Sequence, residues 1–478
     1  MNDPAPLRPD RSVRAAVIAA TAVAIAVRAP FLADGLWYDE IAAFLGYSLD
    51  GPGHALTTYF SQANHVLHSA LAALSAQAFG ADELTVRLPS LVAGVLAVPA
   101  SAWLARESTA DAPRSTALAA WTAAAMALMP VAVLPATEAR GYALMMLWSA
   151  LACAAWLRAS RTRAPTWWVA YAAFAALGAW SHLVAACVPA WLGAWSAWRW
   201  WRGDSTEERR TGRAGVAAAA GVAAASALLL SPVLGQIAAL RDEFRALDGN
   251  EPSLLGPEGR AMLLALGGSW WPLGAAGALP LVILGAARAR EDRALRLGVA
   301  AALGGTLVAI LFPIALGSWL YARFLAFAVP GIALLLGAGA QSAWQRWRWA
   351  GMALPALAAA GWLATLATLG PRQQLREAVH VIAERMQPGE RAVAVGLPDD
   401  VHAWYALAEG IDLPGTGPYG RDVARAVQDG SVRWAVLLYP RAMPKAGRAL
   451  RDAGFRDEAV LPGWIDWGGG EVRVLRRR

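Results

Sequence analysis

The sequence predicts an all-α polytopic membrane protein of about eleven transmembrane helices, followed by a small C-terminal α/β domain on the extracytoplasmic side. Three observations lead there. The 478 residues are 57% hydrophobic and 16% charged, with a mean hydropathy of +0.39, whereas soluble domains carry about 25% charged residues. The chain holds 24 tryptophans, many beside arginine at the ends of apolar runs, as in Trp198-Arg199-Trp200-Trp201-Arg202 and between Trp344 and Trp349. Indole rings settle at membrane–water boundaries and arginine stems reach from apolar surroundings to water, so these pairs mark helix ends. Finally, the segments between apolar runs alternate between arginine-rich and arginine-poor.

The first run, at 12–33, is long enough to cross, since ~20 residues at ~1.5 Å each cover ~30 Å. It ends in Arg28-Ala-Pro and Trp37 without a small-residue cleavage site, so it reads as a retained span. Further spans are expected at 86–105, 115–135, 141–158, 166–183, 184–201, 213–239, 270–288, 295–317, 322–341 and 350–370. The arginine-rich segments are Arg8/Arg11/Arg14, Arg106/Arg114, Arg158/Arg161/Arg163, Arg199 to Arg213, Arg288 to Arg296, and Arg346/Arg348. With these spans all six face one side, which the positive-inside rule makes cytoplasmic, together with the N-terminus, in a cell (inner) membrane.

The opposite face then receives residues 34–85, the turn around Glu138-Ala139-Arg140, the loop 240–269, the turn around Arg323, and the tail from Pro371. Segment 51–80 is moderately apolar and reads as helices on the membrane surface, because a crossing there would invert every later loop. The domain expectation is a transmembrane module over 1–370, containing the 34–85 loop, and an α/β domain over 371–478. In the tail, a helix is expected at 375–386, strands at Arg391-Ala-Val-Ala-Val-Gly, Trp434-Ala-Val-Leu-Leu-Tyr and Glu471-Val-Arg-Val-Leu, and a helix at 447–453.

The net charge of +7 does not point to nucleic acid, because the basic residues sit in short loops as topology signals. Lys445 is the only lysine, which with the alanine richness reads as composition bias. Cys153 and Cys187 lie in apolar runs with no metal or redox spacing, and read as small core residues.

Chemistry concentrates on the outer face. Trp37-Tyr38-Asp39-Glu40 places two adjacent carboxylates at the mouth of the first span, and Gln62-Ala63-Asn64-His65 is a second polar knot. The acid pair is either a solvated loop or a working one; adjacent carboxylates repel, which raises one pKa toward a useful value. His65 reads as a helix cap or as a site residue. Glu138 and Arg140 either pair with each other or serve a ligand. Arg87 reads as a helix-start anchor or headgroup contact, and His182 as a hydrogen-bonded core histidine or a site residue. Asp39, Glu40 and His65 are also a candidate set for a divalent cation, although their spacing is diagnostic of no metal.

The order Trp37-Tyr38-Asp39-Glu40, Asn64-His65-Val66-Leu67-His68, Arg87-Leu-Pro-Ser90, Glu138-Ala-Arg140-Gly-Tyr142, Ser181-His182 and Tyr321-Ala-Arg323-Phe-Leu resembles family 39 glycosyltransferases of the type C integral-membrane fold. Protein O-mannosyltransferases and aminoarabinose transferases belong to this group. The resemblance covers roughly 12–340. Many relatives carry a His-Pro-Pro-Leu-Tyr-Tyr type sequence where this chain has His65-Val66-Leu67-His68.

The resemblance implies hexosyl or pentosyl transfer from a polyprenyl-phosphate donor to a glycan, lipid or protein acceptor at the outer face. Such a transfer needs a carboxylate to take the acceptor proton, and cationic groups where the leaving phosphate gains charge. Asp39 fits the base, with Glu40 as its neighbour for orientation or acceptor binding. Arg140 and Arg323 fit the phosphate because guanidinium binds it in a fork. His65, Asn64, Arg87, Glu138, Tyr142 and His182 complete the expected substrate-binding set. The competing expectation is a transporter or lipid-linked sugar flippase. Transporters show internal repeats and helices broken at mid-membrane, whereas no repeat is found here and the notable polar residues gather at one face.

Overall fold

The computed structural model describes residues 11–109, 112–246, 271–316, 322–396, 401–417, 420–465 and 470–478. Arg8, Tyr321 and most of the 240–269 loop lie outside them. Contacts divide the chain into two compact units. One comprises residues up to Leu32 together with Asp50–Thr368; the other joins Ala33–Leu49 to Leu369–Arg478.

The first unit is helical, and a helix occupies each expected position. Among the described residues eight helices are long and apolar enough to cross a membrane, nine if a bent pair counts as one span. Pro165–Ser181 and Cys187–Arg202, with 17 and 16 residues, are shorter than that measure requires. The protein is therefore a multi-span membrane protein. The 51–80 segment forms two helices, Pro52–Thr57 and Val66–Phe79.

Local chemistry sets the helix starts. Asp82 Oδ1 accepts the Thr85 amide at 2.7 Å while Thr85 Oγ1 accepts the Asp82 amide at 3.0 Å. This reciprocal cap opens the Glu83–Glu107 helix. That helix packs on Ala112–Leu128 and Tyr142–Thr162. At its far end Glu107, almost fully buried, accepts hydrogen bonds from Trp103 Nε1 at 3.0 Å and Arg158 Nη1 at 2.9 Å, and pairs with Arg161. The Arg158 guanidinium also lies 4.8 Å from the Trp167 ring centre, the tryptophan–arginine pairing expected of helix ends. Cys153 is a buried, free thiol.

In lipid, helices gain little from burying apolar side chains against one another, so close backbone approach decides packing. Gly285 lies against the Leu335 carbonyl and Gly339 against the Leu281 carbonyl, so the Trp271–Glu291 and Val329–Arg346 helices meet where any side chain would collide.

One span is broken. The helix ending at Leu128 and the segment Pro130–Thr137 meet at 76°. Proline has no N–H, so the Met126 carbonyl loses its usual partner four residues on, and the bend removes the next one. Arg28 replaces both. It is fully buried at the end of the Arg11–Arg28 helix, and its guanidinium donates to Met126 O at 3.3 Å, Ala127 O at 3.1 Å, Ala132 O at 3.0 Å and Ala24 O at 3.0 Å.

The second unit holds a four-stranded sheet of β1 (Arg391–Val395), β2 (Val432–Leu438), β3 (Phe455–Leu461) and β4 (Val472–Arg477) in the order β1-β2-β4-β3. β1 and β2 are parallel, and β4 is antiparallel to both neighbours. Helices Leu375–Arg385 and Pro444–Asp452 fall where periodicity places them. β3 is an addition to the expected strands. It is one of the two edge strands and carries Arg456, Asp457 and Glu458, which keep that edge solvated and hide its alternation from a hydropathy reading.

Replacing Arg28 by Leu should lower stability by about 3 kcal/mol or more, the scale of leaving buried carbonyls without donors. Thermal unfolding in micelles measures this. Arg28→Lys, a point charge without the planar fork, should recover only part of the loss.

Candidate functional site

In the first unit, the break at Pro130 leads through Leu134–Thr137 into Glu138-Ala139-Arg140. The Arg140 amide donates to Glu138 O at 2.7 Å, closing a tight turn, and Ser90 Oγ holds the Arg140 carbonyl at 2.7 Å. Gly141 follows, and only glycine fits there, because a Cβ would lie 2.7 Å from the Ser181 carbonyl and 2.9 Å from His65 Cβ. This close approach brings His65, Arg140, Tyr142 and His182 together from three separate stretches of sequence.

All four are buried. The His65 ring centre is 4.9 Å from Tyr142 and 4.6 Å from His182, and His182 is 5.0 Å from Phe324, the residue after Arg323. Arg140 Nη1 donates to Ala63 O at 2.8 Å. His182 Nδ1 accepts the Val184 amide at 3.2 Å.

The His65 ring has a defined polarity. Its Nδ1 accepts the Gly141 amide at 2.6 Å, which in the neutral ring assigns the proton to Nε2. Nε2 lies 3.3 Å from Arg140 Nη2, and guanidinium has no acceptor. Two donors thus face one another. An acceptor reached by both, such as a phosphate or carboxylate oxygen, relieves that opposition.

The electrostatics point the same way. Burial, then the Arg140 charge, holds the His65 imidazole well below its ordinary pKa. His182, His68 and Arg323 add to this. Basic side chains gathered away from water are suited to an anionic ligand.

The remaining expected residues take other places. Both Asn64 amide hydrogens are used, by Ala55 O at 3.1 Å and Thr58 O at 2.8 Å, so Asn64 ties the preceding loop together. Arg87 is fully buried and reaches Phe31 O and Leu32 O, each at 3.4 Å, at the end of the first span. Glu138 is buried beside Arg140 in sequence.

Asp39 and Glu40 belong to the second unit. They lie in the first turn of the short helix Tyr38–Ala43. Glu40 is fully buried, and its Oε2 accepts the Trp37 amide at 3.1 Å, half of a capping box that orients the turn. Asp39 is half-buried. Among the described residues no group of three or more His, Cys, Asp and Glu side chains is gathered so as to hold a metal ion.

Missed in the sequence were Arg28, which fixes the broken span leading to Arg140, and Ser90, which holds the Arg140 carbonyl. Arg28 carried one legible signal, an arginine inside an apolar run and two residues before a proline.

The helical unit with its small α/β companion has a type C glycosyltransferase-like fold, as its likeness to solved structures shows. Among solved structures the chain is similar to ArnT from Cupriavidus metallidurans in the apo state, with a TM-score of 0.59 and 15% identity over 97% of this chain and 98% of that one. The same protein bound to undecaprenyl phosphate gives a TM-score of 0.58 at 15% identity, covering 97% of each chain. The archaeal oligosaccharyltransferase AglB from Archaeoglobus fulgidus, in complex with an inhibitory peptide and a dolichol-phosphate, gives 0.56 at 12% identity over 93% of this chain and 72% of that one. No family model and no curated protein matches the chain. At these identities the likeness is one of fold.

A neutral folded His65 has a consequence for stability. Its folded pKa is depressed, so below the ~6.5 of an unfolded histidine the unfolded chain binds the proton first. The stability it contributes is therefore complete above about pH 6.5 and is lost as pH falls, at up to ~1.4 kcal/mol per unit. Melting in micelles between about pH 8 and about pH 5 should fall more steeply for wild type than for His65→Asn.

Proposed function

We propose that the protein transfers a hexosyl or pentosyl group from a polyprenyl-phosphate donor to an acceptor at the extracytoplasmic face of a cell (inner) membrane. The observation that carries this reading is the buried basic cluster in which His65 Nε2 and Arg140 Nη2 face each other as donors 3.3 Å apart. A leaving phosphate offers an acceptor oxygen to both groups, and its growing negative charge strengthens both bonds as the sugar bond breaks. Support also comes from the neighbours of like fold, one bound to undecaprenyl phosphate and one to a dolichol-phosphate.

In this reading Arg140, with Arg323, takes the phosphate, and His65 donates through Nε2. His182 and Tyr142 form the wall that keeps water away. Asn64, Arg87 and Glu138 shape the surrounding loops. Asp39, half-buried in the first turn of its helix, takes the proton of the acceptor hydroxyl, and Glu40 holds that turn. The acceptor is a glycan, lipid or protein.

The deciding experiment follows consumption of polyprenyl-phosphate sugars by purified protein in lipid. Asp39→Asn should insert normally and lose at least ~100-fold of turnover, the lower range for removing a general base. Arg140→Lys keeps the charge without the fork and should lower turnover at saturating donor. Full turnover by Asp39→Asn would remove Asp39 from the mechanism, and no consumption of any donor by wild type would refute transfer itself.

Orientation is tested separately. The six arginine-rich segments favour a cytoplasmic N-terminus and an outer tail. In a background lacking Cys153 and Cys187, cysteine at Lys445, an exposed position, should react with an impermeant reagent in sealed cells. Cysteine at Ser205, equally exposed, should react only after the membrane is opened.

A further inference from the structure

Main chain entering a helix has amide hydrogens that the helix itself cannot pair. In the second unit this occurs at Leu36, Trp37 and Tyr38, immediately before Asp39, and each amide is taken by a side chain. Glu40 takes that of Trp37. The Leu36 amide donates to Tyr405 Oη at 2.6 Å, and the Tyr38 amide donates to Gln373 Oε1 at 2.9 Å. Those two partners lie 369 and 335 residues further along the chain.

Packing seals the same region. Leu36, Trp37, Ile41 and Tyr47 have no exposed surface, and Gln373 is 1% exposed. The Tyr38 ring meets Tyr439 edge-on at 6.0 Å, and Phe44 meets Trp404 at 5.2 Å. Tyr439 sits just after β2 with φ of 47°, a left-handed conformation that a bulky side chain adopts only when its surroundings hold it there. Apolar contacts alone would let the loop slide. Bonds to the amides on either side of Trp37 fix its position along the chain.

We infer that the carboxy-terminal domain positions Asp39, with Tyr405 and Gln373 as the positioning residues. This rests on the reading of Asp39 as the base. The domain then acts on the chemical step through the main chain that carries the carboxylate, and leaves donor affinity alone.

The test uses the full-length protein and two readouts. Hydrogen exchange of the 33–43 segment reports the tether without any activity. Turnover of polyprenyl-phosphate sugar reports its consequence. The double variant Tyr405→Phe, Gln373→Leu should expose the 33–43 amides and lower kcat on the order of 10²-fold, the scale of a ~1 Å misplacement, with KM for the donor unchanged. Gln373→Glu, which keeps an acceptor oxygen, should retain both protection and turnover. Unchanged exchange in the double variant overturns the tether. Exposed amides with wild-type turnover overturn the positioning role, provided Asp39→Asn is inactive. An active Asp39→Asn instead sinks the assignment of the base and, with it, the positioning role, whatever the exchange shows. Should the double variant fail to fold, Tyr405→Phe alone, which removes a single oxygen, gives the same comparison.

Discussion

Inside a bilayer no water is at hand to satisfy a main-chain carbonyl, so every break in a helix must be repaired by the protein. The bend at Pro130 is such a break, and Arg28 repairs it by replacing the donors that proline and the change of direction remove. A buried arginine is costly unless each of its hydrogens finds an acceptor. Here the broken helix supplies three acceptors, at Met126, Ala127 and Ala132, and Ala24 supplies a fourth, so each defect offsets the other. The turn that carries Glu138 and Arg140 follows directly, and with it the place where Gly141 lets His65 and Ser181 approach.

The same economy recurs at the histidine cluster. The Gly141 amide sets the His65 tautomer, and the tautomer turns a proton toward Arg140. Two donors turned toward one another without water are unfavourable by themselves. Their persistence among close-packed aromatic rings is understandable where a ligand of opposite charge completes the group. The locations of Tyr142, His182 and Phe324 supply the apolar wall that makes such a ligand's charge count.

Much of this was legible in the residues. The helices were, because apolar length and the tryptophan–arginine pairs at their ends report a local property. So were His65, Arg140, Tyr142 and His182, because polar residues at the ends of apolar runs stand out. What stayed hidden depends on distant partners. Arg28 looks like a boundary marker until Met126 and Ala127 are seen beside it. Gln373 and Tyr405 look like ordinary residues of a soluble domain, and nothing near them in sequence indicates that they bond amides at Tyr38 and Leu36. Asn64 and Glu40 stood out as candidates for chemistry, and the structure shows their side chains bonded to main chain. The charged strand β3 escaped because an exposed edge has no apolar alternation to detect.

The bonds from Leu36 to Tyr405 and from Tyr38 to Gln373 also impose an order in time. A ribosome adding roughly 5–20 residues per second needs roughly 20 to 70 seconds to travel from the first of these to the last. Throughout that interval the segment carrying Asp39 has emerged without the side chains that hold its amides. A newly made chain therefore lacks both of these bonds until Gln373 is synthesised and the one from Leu36 until Tyr405 is, and a chain that stops before Gln373 never acquires either. Assembly of this turn thus waits on a part of the chain made hundreds of residues later.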